Sequence, residues 1–147
     1  MTVSQSPVSA TPVLTLEGLS VRLPAGADRP HAMKDVSFAI ASNEILCVVG
    51  ESGSGKSMTA NAIMRLLPGG VTIDGGQVMF DGRDLTQLSD AEMREVRGAG
   101  VAMIFQEPMT ALNPLRTIGD QIGEMFAIHT KLKGAAITER VLSLLEE

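Results

Sequence analysis

The sequence predicts an α/β fold, and three observations carry that expectation. Residues 45–49, Ile-Leu-Cys-Val-Val, are apolar throughout and β-branched at three of five positions. That composition suits a strand covered on both faces, as in a parallel sheet. A glycine-rich turn follows directly, and a helical pattern follows the turn. A second wholly apolar run, residues 101–105, reads as another buried strand. The chain has 147 residues, the size of one modest domain. With 44% apolar and 20% charged residues, a packed core is expected and wholesale disorder is excluded.

Taken in order, residues 1–12 are rich in Ser, Thr and Pro and read as a flexible arm. Residues 13–23 read as extended, with Leu14, Leu16, Leu19, Val21 and Leu23 mostly two apart. Residues 24–30, bounded by Pro24 and Pro30, are a loop. Residues 35–40 alternate again and predict a strand. After the strand at 45–49 and the turn at 50–55, a helix is expected from about Lys56 to Leu67, ended by Pro68-Gly69-Gly70. Residues 71–73 and 77–80 read as strands, and Asp81-Gly82 is a hairpin signal. Ser89 and Glu92 have capping-box spacing and open a short helix to about Val96. Two helical stretches close the chain. Ile118, Ile122, Met125 and Phe126 share a face in the first; Ile137, Val141, Leu144 and Leu145 share one in the second.

Composition removes several function classes. Twelve basic against seventeen acidic residues give a net charge of −5, so no generic nucleic-acid or anionic-membrane surface is implied. The chain has no Trp, no Tyr and four Phe, too few aromatic faces for a base-stacking platform. The single cysteine, Cys47, excludes an internal disulfide framework and reads as a small buried hydrophobe. No apolar run is long enough to span a bilayer, and the first residues lack a basic start and an apolar stretch, so no signal peptide is read. A cytosolic compartment is expected.

Residues 50–57 read Gly-Glu-Ser-Gly-Ser-Gly-Lys-Ser and fit G-x-x-x-x-G-K-[ST], the P-loop. Each residue type has a physical task. Glycines permit positive φ and close backbone approach. Successive N–H groups then converge on a concavity that holds phosphate oxygens, reinforced by the positive end of the following helix. Gly50, Glu51, Ser52, Gly53, Ser54, Gly55, Lys56 and Ser57 are therefore the candidate phosphate-binding residues. Lys56 supplies a full charge to the β- and γ-phosphates, and Ser57 offers its hydroxyl to Mg²⁺. The bland alternative is a Gly/Ser turn with a surface lysine. Gln106 stands at the end of the second apolar run, fifty residues after Lys56. A neutral amide there is suited to ligating Mg²⁺ and orienting water; a turn-facing polar residue is the alternative.

The P-loop, the segment Gly75-Gly76-Gln77-Val78-Met79-Phe80-Asp81-Gly82-Arg83-Asp84-Leu85, and Phe105-Gln106-Glu107-Pro108 together resemble the ATP-binding subunit of ABC transporters. GESGSGKS, VRGAGVAMIFQEPMTALNPL and TIGDQIGE resemble its peptide/nickel importer branch, which handles dipeptides, oligopeptides, nickel and glutathione. The likeness covers roughly residues 13–130. It implies a P-loop NTPase (RecA-like) core with an antiparallel β-subdomain from strands near 13–40 and 71–86. Residues 13–147 would form the N-terminal part of an ABC-type nucleotide-binding domain. The P-loop would occupy 50–57, a Q-loop about 105–116, and a helical subdomain would begin over about 117–147.

The resemblance further implies ATP and Mg²⁺ as cofactors, with Gln106 as the Q-loop glutamine beside the metal and the attacking water. Residues 107–116 would contact transmembrane permease subunits, with Met109 and Leu112 as docking candidates and local loop packing as their alternative. A second nucleotide-binding domain would pair head to tail. A periplasmic or extracellular solute-binding protein would be an indirect partner, and nucleic acid would not be one. The location implied is the cytoplasmic face of the cell membrane. The family usually stacks an aromatic residue from the N-terminal region on adenine. No aromatic lies between Met1 and Ser37; His31, twenty-five residues before Lys56, is the candidate flat ring, with a plain loop histidine as the alternative.

No LSGGQ-like signature, no apolar strand ending in Asp-Glu and no switch histidine is read. Glu51 and Glu107 are weak stand-ins for a general base, one belonging to the P-loop and one to the Q-loop. The chain accordingly reads as the N-terminal portion of a larger domain, truncated at the start of the helical subdomain, with little or no ATPase activity of its own. The strands that the fold normally places between the two apolar runs would be missing, leaving their faces and edges to meet water. Three other readings compete: a soluble ABC-type ATPase of DNA repair or chromosome maintenance, a small P-loop kinase using Arg94 and Arg97, and an inert nucleotide-binding remnant. For Arg94 and Arg97 the plainer reading is a solvated helix face. His129 is expected at a helix C-terminus, as a dipole partner or exposed.

Overall fold

The computed structural model describes residues 2–3, 12–106 and 112–147. The chain divides into two compact units, residues 1–93 and 94–147. The first unit is built on a four-stranded antiparallel sheet. Its strands are β2 (Pro12–Arg22), β3 (His31–Ala41), β5 (Thr72–Phe80) and β6 (Arg83–Asp84), in the order β3-β2-β5-β6. The segments expected at 13–23, 35–40, 71–73 and 77–80 fall in this sheet, save Leu23 and Val71 at strand ends, and the last two form one continuous strand. The loop at 24–30 is also observed. Asp81 and Gly82 both take positive φ, 46° and 76°, and close the β5–β6 hairpin with Phe80 opposite Arg83. That is the backbone a two-residue primed turn requires.

One irregularity keeps the buried face of the sheet continuous. Leu14 and Leu16 are two apart, but Leu16 and Leu19 are three apart, which would send Leu19 to the wrong face of a regular strand. The register shifts between Leu16 and Leu19 on the β3 side and between Glu17 and Ser20 on the β5 side. Gly18 takes φ +59° at the bulge, and its N–H donates to Ser37 Oγ at 2.9 Å. Leu16, Leu19 and Val21 are thereby all buried. Opposite the bulge, Gly76 (φ +79°) lies so close that a Cβ would fall 2.4 Å from the carbonyl oxygens of Glu17 and Gly18. Met33, Phe38, Ala62, Val78, Leu85 and Met93 extend this core.

Helix α1 (Lys56–Ile63) is shorter than the expected 56–67. Arg65 takes φ +50°, which breaks the helix before Pro68 can, and its guanidinium donates to the Leu88 carbonyl. Helix α2 (Asp90–Val96) carries the expected capping box. Glu92 Oε2 accepts from the Ser89 N–H and hydroxyl at 2.7 Å each, and the Glu92 N–H donates back to Ser89 Oγ at 3.3 Å. These bonds hold the Glu92 carboxyl below its ordinary pKa, the Ser89 hydroxyl foremost.

Both apolar runs depart from expectation. Only Val48–Val49 forms a strand, β4, and it pairs antiparallel with β1 (Thr2–Val3). Ile45 is 89% exposed, and Cys47 is exposed rather than buried. Thr2 and Val3 are thus paired, where a flexible arm was expected. Among the described residues, the only ladder contact of the run 101–105 is an isolated parallel bridge of Val101 to Arg97, and Ile104 is 95% exposed. The reason is common to both. A strand that is apolar on both faces is held in place by flanking strands and covering helices. Among the described residues only β1 flanks β4, and no named strand flanks the second run.

The second unit contains α3 (Ile118–His129) and α4 (Ala135–Glu146). Thr117 caps α3, its hydroxyl accepting from the Asp120 N–H at 3.1 Å. Gly123 lets the two helices approach closely, since a Cβ there would lie 3.2 Å from Ile137 Cγ2. Val141 is buried at this contact, and Ile122, Phe126 and Ile137 are half-buried. Ile118, Met125, Leu144 and Leu145, expected on the same apolar faces, remain exposed.

Candidate phosphate-binding site

The residues at 50–57 come together in the first unit as one loop leading into α1. Gly53 and Gly55 take φ +78° and +97°, conformations that side chains disfavour. Gly55 is the N-cap of α1 and offers no side-chain cap, and the first turn holds no acidic residue. The N–H groups at the helix start are therefore left for an anion. Gly55 also has little room: a Cβ would lie 3.2 Å from the Ala32 carbonyl oxygen and 3.4 Å from Met33 Cβ.

Lys56 curls back over the loop. Its Nζ donates to the carbonyls of Gly50 at 2.6 Å and Glu51 at 2.8 Å, and to Ser54 Oγ at 3.4 Å. Among the described residues the ammonium is held by neutral acceptors alone, so an incoming phosphate would meet an uncompensated positive charge. Ser57, in the first turn of α1, is exposed. Two supports of the loop are not among the residues expected from the sequence. Thr59 Oγ1 donates to the Gly55 carbonyl at 3.0 Å and approaches Met33 Sδ at 3.4 Å. Arg29 donates through Nη2 to the Gly53 carbonyl at 2.9 Å. The first support follows from a threonine four residues after Gly55 on a helix. The second joins positions 24 residues apart, which no local pattern encodes.

His31 is neither a loose loop histidine nor a free flat ring. It begins β3, and its Nε2 lies 2.9 Å from Asp74 Oδ2. Arg22 grips the same carboxylate with Nε at 2.9 Å and Nη2 at 2.8 Å. Three strands are thus pinned near Asp74, whose pKa is lowered to about 2, first by the Arg22 hydrogen bond and then by that of His31. A carboxyl depressed on folding stabilises the fold above its unfolded pKa, near 3.8, and loses that contribution as pH falls toward 2. Asp74→Asn should therefore lower the melting temperature at pH 7 and flatten its fall between pH 4 and 2. Thermal melts by circular dichroism across that range check this; an unchanged acid limb would refute it.

Gln106 lies in the second unit, exposed, just after the run 101–105. Leu112 is exposed. Glu107 and Met109 lie outside the described residues. Arg94 is exposed, but Arg97 is half-buried with its backbone bridging Val101, which departs from a wholly solvated arginine face. His129 occupies the last turn of α3, as expected, half-buried beside Gly98. Among the described residues, no group of three His, Cys, Asp or Glu is placed to hold a metal, and no helix is long and apolar enough to cross a membrane.

The family model described as ABC transporter matches residues 33–147. This chain belongs to the ABC transporter family. Among similar curated proteins, the peptidoglycan transport ATP-binding protein YejF of Agrobacterium fabrum is 46% identical over 91% of this chain and 25% of its own length. The dipeptide transport ATP-binding protein DppD of Bacillus subtilis is 45% identical over 90% of this chain and 40% of its own length. The probable D,D-dipeptide transport ATP-binding protein DdpD of Escherichia coli is 44% identical over 92% and 42%. The chain thus spans between a quarter and about two fifths of the length of these relatives. Among solved structures, the dimeric ATP-binding cassette MJ0796, in a post-hydrolysis state bound to ADP and Pi, superimposes with a TM-score of 0.76. It covers 90% of this chain and 56% of that one at 24% identity, so the likeness is one of fold. The P-loop core and the antiparallel β-subdomain are those of an ABC cassette.

Proposed function

We propose that this chain is the nucleotide-binding part of an ABC importer's ATP-binding subunit, serving uptake of peptides or related small solutes. The observation that carries the reading is the loop at 50–57. Gly53 and Gly55 hold positive φ, the α1 start has no side-chain cap, and among the described residues the Lys56 ammonium rests on two carbonyls and a hydroxyl. The peptide assignment rests on the relatives, whose names specify dipeptide, D,D-dipeptide and peptidoglycan transport.

In this reading the loop N–H groups and Lys56 bind the polyphosphate of ATP. The Ser57 hydroxyl is an oxygen donor of the kind Mg²⁺ prefers, exposed beside the cradle. Mg²⁺ supplies charge neutralisation between the phosphates. Gln106 is assigned the Q-loop role, its neutral amide suited to ligating Mg²⁺ and orienting water. The parent protein couples ATP binding and hydrolysis to transport as a head-to-tail pair of such domains on the cytoplasmic face of the membrane. There it docks on permease subunits through the segment after Gln106.

The test is a displacement series with a fluorescent ATP analogue, since the chain has no Trp or Tyr to report binding. ATP and ADP should compete well, AMP weakly and adenosine scarcely, because each phosphate adds charge-assisted bonds in the cradle. Equal competition by adenosine and ATP would overturn the reading.

A further inference from the structure

We propose that Arg29 is a positioning residue of the phosphate cradle, acting through the peptide between Gly53 and Ser54. This rests on the nucleotide-binding reading above. The Gly53 carbonyl accepts from Arg29 Nη2 at 2.9 Å, and the Ser54 N–H donates to the Glu51 carbonyl at 3.2 Å. One peptide plane of the loop is therefore held from both sides. Gly53 itself offers little restraint: φ is +78°, and a Cβ there would meet nothing within 4 Å. Rotating this peptide would break both bonds and leave the Gly53 carbonyl free to turn toward the ligand. A carbonyl turned toward phosphate repels it, whereas a carbonyl engaged by a guanidinium does not.

Arg29 is well placed to act as this restraint because the chain just after it is anchored. Pro30 fixes its own φ and biases Arg29 toward an extended backbone. His31 is bound to Asp74. Ala32 and Met33 abut Gly55, and Met33 Sδ faces Thr59 Oγ1. The segment 29–33 thus buttresses the loop at Gly53, Gly55 and Thr59 in turn, and Arg29 supplies the contact at the Gly53–Ser54 peptide.

The experiment compares Arg29→Ala and Arg29→Lys with the natural chain, using displacement of a fluorescent ATP analogue by ATP and by adenosine, alongside thermal melts. Arg29→Ala should weaken ATP by about 3–10-fold, the range of one lost hydrogen bond, and leave adenosine unchanged. The melting temperature should move by less than about 2 °C, since Arg29 is exposed on a loop. Arg29→Lys, which keeps a donor, should recover most of the affinity. The loss should be equal at about 50 and 300 mM KCl, because the contact is with a carbonyl and not a phosphate. Unchanged ATP affinity in Arg29→Ala overturns the proposal while the nucleotide reading stands. A loss that vanishes at high salt overturns it in favour of direct phosphate contact. A loss matched by a fall in melting temperature above about 5 °C overturns it in favour of a purely structural role. Failure of the natural chain to bind ATP overturns the nucleotide reading and this proposal together.

Discussion

Gly76→Ala is expected to destabilise the first unit by about 4 kcal/mol, enough to lower its melting temperature by more than about 10 °C or abolish folding. Two costs combine. Gly76 sits at φ +79°, where a side chain adds strain. Its Cβ would also lie 2.4 Å from the Glu17 and Gly18 carbonyl oxygens, which belong to the opposing strand's backbone. Backbone atoms cannot rotate away as a side chain can, so the clash is relieved only by opening the β2–β5 ladder at the bulge. Gly75→Ala is the control. A Cβ there meets nothing within 4 Å and the residue has no positive φ, so its effect should stay below about 1 kcal/mol. Thermal unfolding of both variants by circular dichroism decides it; similar melting temperatures for the two would show that the bulge is not the constraint described.

Lys56→Ala is expected to weaken ATP binding by roughly 10–150-fold, corresponding to about 1.5–3 kcal/mol for a lost charge-assisted contact. The fold should barely respond. Among the described residues the ammonium holds only the Gly50 and Glu51 carbonyls and the Ser54 hydroxyl, in a loop where those acceptors can turn to water. A change in melting temperature under about 2 °C is therefore expected alongside the loss of affinity. Competition assays with the fluorescent analogue read the first quantity and thermal melts the second. Retention of full ATP affinity would mean that Lys56 does not face the phosphates.

Much of this was legible in the sequence because it is written in short-range patterns. The P-loop could be read because eight consecutive residues carry both the backbone freedom and the charge that the cradle needs. The capping box at Ser89 and Glu92 and the turn at Asp81-Gly82 could be read for the same reason: each is a contact among residues at most three apart. The strand signals at 45–49 and 101–105 were real as composition but did not become strands of that length. Composition reports that a segment is suited to burial, whereas burial itself requires neighbours. The exposure of Ile45, Cys47 and Ile104 is a property of what lies beside them.

The sequence by itself determined the family, the loop proposed to bind phosphate and the strands of the antiparallel sheet, since each rests on periodicity or on a contiguous motif. Only the tertiary structure decided that Arg29 holds Gly53, that His31 joins Arg22 on Asp74, and that Gly76 must admit the bulge at Gly18. These contacts join residues 24, 43, 52 and 58 positions apart. No local pattern encodes such distances; they follow from how the strands pair and where the bulge shifts their register.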